Sequence, residues 1–485
     1  MYTKQDYEAS LPQLEKLRKL VKEDEYRLGF HIMPATGWLN DPNGLCQFQH
    51  VNHIYFQYTP QSATWGMKSW GHYTTKNWIH YQEEEPFLFA DHEADRDGVY
   101  SGSAFVEDNQ LYYFYTGNVK YEDKAYDYIN TGREQNTMLV TSKDGYHYGQ
   151  KELLLQNVDY PSTMSLHVRD PKIYKKDGKY YMVLGARSKQ DVGCVLLYES
   201  ENLHQWNYHM CIESDIAFGY MWECPDLFDI DGKTFLVCCP QGVKQDGINY
   251  ANVYQFGYFE IALDLQNKTY TLSSFHELDR GFDIYAPQSF EDEQGRRILI
   301  AWMGIPDATY HNEETIQHGW QHALTMPRQL CVRNDILVQQ PLEEFKQLRL
   351  DEASFSMFNT FEIEGKERYE CRMEFRTCKQ FLLKLKADIQ LQYQDKILTL
   401  SMEESGSGRD KRSVALQNIT SLHVFMDTSC IEIFVNDGEE VFTSRYYTRK
   451  QTPISMFGEF EGSTSLYTLG VFELQELGGN HGDCI

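Results

Sequence analysis

Three carboxyl-bearing residues recur in one kind of setting: Asp41 in WLNDPNG (38–44), Asp170 in VRDP (168–171) and Glu223 in WECPD (222–226). Each has a proline and aromatic or apolar residues nearby, surroundings that strip water from a carboxyl and raise its pKa. A lone Asp before Pro is a turn former. Three acids at the starts of repeated units are different, because like charges brought to one pocket repel unless hydrogen bonding or chemistry retains them. A pair of carboxyls, one ionised and one protonated, is the apparatus that cleaves a glycosidic bond.

The units that position these acids form a repeat. DPNGLCQFQHVNHIYFQY from Asp41, SGSAFVEDNQLYYFYTG from Ser101, DPKIYKKDGKYYMVLGA from Asp170, CPDLFDIDGKTFLVCCP from Cys224 and APQSFEDEQGRRILIAW from Ala286 share one form. A small motif is followed by an apolar strand, a polar turn and a second apolar strand. The starts lie 54 to 69 residues apart, room for four strands of about six residues with their turns. TTKNWIHYQ from Thr74, TSKDGYHYGQ from Thr141 and SENLHQWNY from Ser200 fall between copies, where an outer hairpin would lie. The sequence therefore predicts an all-β chain with a five-bladed β-propeller over 28–337, its inner strands converging on a hub.

Leu11, Leu14, Leu17 and Val21 stand at helical spacing and predict a short helix within an N-terminal extension, 1–27, with Ser10 as N-cap and Pro12 in the first turn. A connector is expected over 338–349. Beyond it, the alternating runs FLLKLKADIQLQY, KILTLSM, HVFMD and CIEIFVND, with a turn at Asn436-Asp437-Gly438, predict a β-sandwich over 350–485 that ends in a loose GGNHGDCI tail.

The 71 acidic residues outnumber 45 Lys and Arg for a net charge of −26, which argues against nucleic-acid or anionic-membrane partners. The longest apolar runs, 235–239 and 298–302, fall far short of the roughly 20 residues that span a bilayer. MYTKQDYEASLPQLEKLRKL has no apolar core of a secretory signal, so the chain reads as cytoplasmic. Eleven cysteines without a CxxC pair signal neither a disulfide framework nor a zinc site. His31, His72 and His167 match no ligand spacing, and DLFDIDG (226–232) lacks the Asp that opens an EF-hand loop, so neither metal nor cofactor is expected.

WLNDPNG, Gln57 in HIYFQY, WGMKSWGH (65–72), YSGSA (100–104), VRDP, ECPD and YAPQSF together resemble glycoside hydrolase family 32, the β-fructofuranosidases, from about residue 27 into the C-terminal domain. The resemblance implies a propeller followed by a sandwich, and a retaining, double-displacement cleavage of β-D-fructofuranosides. Asp41 would be the nucleophile and Glu223 the acid and base, while Asp170 would hold fructose hydroxyls and stabilise the oxocarbenium-like transition state. Asn40, Gln57 and Ser101 match positions that bind fructose hydroxyls; Trp65, Tyr100 and Trp302 would wall the pocket. Arg169 is expected to keep Asp41 and Asp170 ionised while Glu223 retains its proton. Cys224 is given no catalytic role.

Tyr100 stands where Phe or Trp is usual in the family and Val168 where Phe is common, which leaves the leaving group open. The substrate expected is a small sugar, sucrose or sucrose 6-phosphate. A fructosyltransferase or a fructan-degrading exo-hydrolase would use the same three acids. A homo-oligomer is compatible with the sequence, and no basic residue is singled out for a phosphate.

Overall fold

The computed structural model describes residues 1–477; the predicted tail at 478–485 lies outside them. Five antiparallel sheets follow one another along the chain. Their first strands, Gly37–Phe48, Val99–Glu107, Met164–Lys176, Met221–Ile230 and Tyr285–Glu291, each carry one repeated phrase. Each of these strands touches its counterparts in the neighbouring sheets, and the fifth returns to the first, so they close a ring. The result is a five-bladed propeller. Side chains stitch the hub from blade to blade: Asn43 accepts from the Gly102 amide at 3.1 Å, Ser103 donates to the Pro171 carbonyl at 2.7 Å, and Asp226 accepts from the Ser289 amide at 2.8 Å. Trp320–Gln321 runs parallel to the first blade's inner strand and Ala323–Leu324 pairs within the fifth, tying the last blade to the first.

Every inner strand carries one extra residue inside its motif, between Leu39 and Pro42, Val99 and Gly102, Arg169 and Lys172, Glu223 and Asp226, and Tyr285 and Gln288. Such bulges break the pleat and re-aim side chains, and they are where a strand tolerates a proline that cannot donate to the ladder. Asp170, Cys224 and Ala286, each preceding a proline, have φ of 63°, 48° and 48°. In the second blade glycine replaces the proline: a Cβ on Gly102 would stand 2.1 Å from the Phe114 carbonyl oxygen.

The outer phrases also repeat a turn. Thr75, Ser142 and Ser200 each accept two backbone amides, from Asn77 and Trp78, Asp144 and Gly145, and Asn202 and Leu203. The fourth residue of each turn, Trp78, Gly145 and Leu203, has positive φ. Between blades the interior is apolar and aromatic, with Tyr55, Trp70 and Trp222 fully buried.

The N-terminal helix is longer than expected, Lys4–Lys22, and Thr3 rather than Ser10 caps it through a capping box with Asp6. Pro12 lies inside the helix, not in its first turn. It is tolerated because this stretch is exposed and water can satisfy the carbonyl its missing N–H leaves free. Val338 to Pro341, read above as the start of the connector, form the end of the fifth blade's outer strand, Ile336–Pro341; Leu337 and Val338 are buried there. A short 3-10 turn, Glu343–Leu348, buries Phe345 and Leu348 before the sandwich begins.

The sandwich is built on two long strands, Tyr369–Lys386 and Ile454–Thr468, paired along their length. Residues 369–374 of the former pair with Ser421–Met426 and residues 381–386 with Ile389–Gln394, so one strand serves both sheets. Leu383, Leu391, Leu400, Val424 and Ile433 fill the space between them. Glu473–Gln475 leaves the sandwich and adds a strand to the rim of the first blade.

Ionic groups lock the two bodies together. Arg328 reaches Asp279 at 3.1 Å and Glu432 at 2.7 Å, and Arg409 grips Asp283 at 2.7 Å. His31 lies between Asp427 at 2.8 Å and Glu432 at 3.1 Å. His31, Asp427 and Cys430 have the composition of a metal cluster. Both ring nitrogens of His31 face carboxylates, however, the arrangement of a protonated ring that has no lone pair to give a metal.

Candidate active site

A cavity of about 650 Å³ opens at the hub, and all ten residues singled out from the sequence line it: Asn40, Asp41, Gln57, Trp65, Tyr100, Ser101, Arg169, Asp170, Glu223 and Trp302. Aligning the inner strands explains the convergence. Asn40, Tyr100, Arg169, Glu223 and Tyr285 occupy one offset of the repeat; Asp41, Ser101, Asp170, Cys224 and Ala286 occupy the next. The repeat thus delivers the same two positions from each blade to the hub.

Asp41 is held by neutral donors. Ser101 Oγ donates to its Oδ2 at 2.5 Å and Asn40 Nδ2 to its Oδ1 at 2.9 Å. Gln57 closes the ring, donating to Ser101 at 2.8 Å and accepting from Asn40 at 3.1 Å, while Trp38 Nε1 donates to Asn40 at 2.8 Å. Burial raises the Asp41 pKa above the ordinary carboxylate value; the donated hydrogen bonds of Ser101 and Asn40 oppose it, Glu223 adds to it and Lys68 opposes it. A carboxylate held by neutral donors and poorly solvated is, once ionised, well placed for nucleophilic attack.

Glu223 has a different shell. Tyr285 O–H donates to Oε2 at 2.5 Å, Gln241 Nε2 to the same oxygen at 2.7 Å, and Arg169 Nε to Oε1 at 3.0 Å, with Arg169 Nη2 on that oxygen too. The expectation that this guanidinium helps Asp170 stay ionised holds, since it lowers the Asp170 pKa, but its main partner is another acid. Arg169 pairs with Glu223 and stands 4.0 Å from Asp170, because the bulge turns Asp170 away from the position its neighbour takes. Arg169 is itself steered by Gln135 at 3.1 Å and by His167 Nδ1 at 2.7 Å. Burial and the charges of Arg169 and Arg133 push His167 down to about 2, so its ring is neutral and can accept.

Asp170 is buried, and its Oδ2 accepts the Cys224 amide at 2.9 Å. Burial raises its pKa; Arg169 opposes this, Glu223 adds to it, and the Cys224 amide and Asp41 follow with opposite signs. Cys224 contributes its backbone, and burial raises its thiol well above the ordinary range.

Residues the sequence reading did not assign complete the walls. Tyr285 is the fifth-blade counterpart of Glu223, and Trp38, Lys68, Gln135 and His322 also line the cavity. Lys68 is enclosed between the rings of Trp38 at 4.8 Å and Trp65 at 5.1 Å; Trp65 is 64% exposed at the rim. Tyr310 and Asn312 form part of one wall, and the sandwich holds them: Arg409 Nη2 and Tyr447 O–H donate to Asn312 at 2.7 and 2.8 Å, and the Arg409 guanidinium lies 4.3 Å from the Tyr310 ring centre. The second domain therefore buttresses the cavity rim.

Comparison with known proteins agrees with this geometry. The model of the glycosyl hydrolases family 32 N-terminal domain matches residues 31–341 and that of the family 32 C-terminal domain residues 339–472. The chain belongs to glycosyl hydrolase family 32. A sucrose-6-phosphate hydrolase of Bacillus subtilis is 37% identical to this family 32 enzyme over 474 residues, covering 94% of the chain and 97% of the relative. A raffinose invertase of Escherichia coli is 34% identical over 434 residues, covering 86% and 89%. Among solved structures, the sucrose-6-phosphate hydrolase of Lactobacillus gasseri superposes with a TM-score of 0.87 at 28% identity, covering 95% of this chain and 97% of the other. A mutant Bombyx mori family 32 β-fructofuranosidase in complex with sucrose gives 0.82 at 28% identity, covering 96% and 99%. The family 32 enzyme is a glycoside hydrolase, a β-fructofuranosidase. No helix among the described residues is long and apolar enough to cross a membrane.

Proposed function

We propose that the enzyme hydrolyses sucrose 6-phosphate, with retention, through a fructosyl ester on Asp41. The observation that carries this reading is the pair of carboxyls from the first and fourth blades lining one cavity in different shells, Asp41 among neutral donors and Glu223 against a cation and a phenol. Asp41 attacks the anomeric carbon of the fructosyl unit. Glu223, entering as the acid, gives its proton to the glycosidic oxygen as that bond breaks, and Arg169 stabilises the carboxylate left behind. Glucose 6-phosphate departs. Glu223 then takes a proton from water, whose oxygen displaces Asp41 and frees fructose. Asp170, buried in the same cavity, holds fructose hydroxyls and the developing positive charge.

The names of relatives spanning some nine-tenths of the chain support a phosphorylated substrate. A sugar phosphate does not cross a bilayer unaided, so the site of action is the cytoplasm. Purified enzyme given sucrose 6-phosphate should release fructose and glucose 6-phosphate in equal amounts. Asp41→Ala and Glu223→Ala should each lower kcat by about 10² to 10⁴; near-normal turnover in either variant would remove its residue from the mechanism.

A further inference from the structure

Four basic side chains line the cavity: Lys68, Lys120, Arg133 and Arg169. Arg169 is taken by Glu223. Lys68 is boxed between two indole rings, and the carboxylate nearest to it in effect is Asp41, so it belongs to the fructosyl side. The other two are placed differently. Lys120 and Arg133 stand directly opposite each other on adjacent strands of the second blade, Gln110–Lys120 and Arg133–Ser142. Both face the same cavity. Among the described residues neither has a carboxylate within ion-pair distance, although ion pairs are common elsewhere in this acidic protein.

Like charges directly opposite in a sheet destabilise it. Here their repulsion is visible: burial and then the Arg133 charge lower the Lys120 pKa, and burial likewise lowers that of Arg133. Among the described residues Arg133 Nε is buried with no acceptor, which costs free energy unless a ligand supplies one. Arg133 also feels Tyr100 and Glu223. Arg133 thus lies within electrostatic reach of the proton donor Glu223, against which the leaving group must sit.

The geometry points to Lys120 and Arg133 as the subsite for the phosphate of the leaving group, a hexose 6-phosphate. This inference rests on the hydrolytic reading above and gives it a source of specificity: a phosphate dianion fills the space between two cations that otherwise repel, and the Arg fork and Lys point charge divide its oxygens.

The test compares kcat/KM for sucrose 6-phosphate and for sucrose in wild type, Lys120→Gln, Arg133→Gln and Arg133→Lys, together with inhibition of sucrose hydrolysis by glucose 6-phosphate. Losing a charged hydrogen bond should reduce kcat/KM for the phosphorylated sugar on the order of 10- to 100-fold more than for sucrose. Inhibition by glucose 6-phosphate should weaken in step, with Arg133→Lys intermediate. High salt should raise KM for sucrose 6-phosphate in wild type and have less effect in Lys120→Gln. Because one of two repelling charges is gone, unliganded Lys120→Gln should melt no lower than wild type, which separates a binding defect from a folding one. Parallel losses on both substrates, inhibition unchanged in the variants, or a preference abolished by Lys68→Met alone would overturn the assignment. Wild-type enzyme that cleaves neither sugar would instead refute the hydrolytic reading itself.

Discussion

Replacing Ser101 with alanine tests how Asp41 is kept ready to attack. Ser101 Oγ, 2.5 Å from Asp41 Oδ2, is one of two side-chain donors on that carboxylate, and Gln57 polarises it from 2.8 Å. A hydrogen bond to a charged group contributes about 1.5 to 3 kcal/mol, and each 1.36 kcal/mol of preference for the ionised form is about one pKa unit. Asn40 remains on Oδ1 in the variant, and water recovers part of the loss, so a rise of about one unit in the Asp41 pKa is expected. The sign follows from the chemistry. Burial already raises this carboxyl; removing a donor that favours the ionised form raises it further, and activity that requires ionised Asp41 fails as pH falls through that value. The acid limb of the kcat/KM profile should therefore move to higher pH by about one unit while the alkaline limb stays in place. Initial rates of fructose release over a pH series measure this. An acid limb that stays where it is in wild type, or moves toward lower pH, would refute the role given to Ser101.

Two further outcomes follow from buried charge. Arg328→Met leaves Asp279 without its cation and Glu432 with His31 alone at the contact between propeller and sandwich, which should cost about 3 to 5 kcal/mol in urea unfolding; a loss below about 1 kcal/mol would show that the network does not hold the domains together. Lys68 is buried without a hydrogen-bond partner among the described residues, and burial pushes its pKa down to about 7. A base with a depressed folded pKa destabilises the fold fully below that value, and the penalty fades as pH rises toward its unfolded value. Lys68→Met should accordingly raise the melting temperature most below about pH 7 and progressively less above it; a gain that grows with pH would contradict this.

The propeller was legible because its repeat is chemical as well as periodic: small and proline-rich motifs mark the bulges, and bulges are what turn side chains to the hub. That is why the three acids could be placed on one hub from the repeat, while the family resemblance supplied the rest of the ten residues, which come from all five blades. Tyr285 was within reach of the same logic, since it precedes Ala286-Pro287 as Glu223 precedes Cys224-Pro225. Gln241 and Gln135 were not, because they lie on second and third strands and reach the site through pairing register, which composition does not encode. The partner of Arg169 was misread for a related reason. Adjacency in VRDP suggested Asp170, but a bulge sends neighbouring side chains in different directions. Pro12 misled through propensity: a proline usually marks a first turn, yet on an exposed helix face its missing bond is solvated and the helix starts at its own capping box.

The central claim is that the fructosyl unit passes through Asp41 and leaves by a second displacement. The direct measurement is the anomeric form of fructose first released from ¹³C-labelled substrate, followed by ¹³C NMR before mutarotation. Two displacements at the anomeric carbon predict that the first product is β-fructofuranose. α-Fructofuranose appearing first would mean that water attacks the substrate directly, and Asp41 would not be the nucleophile.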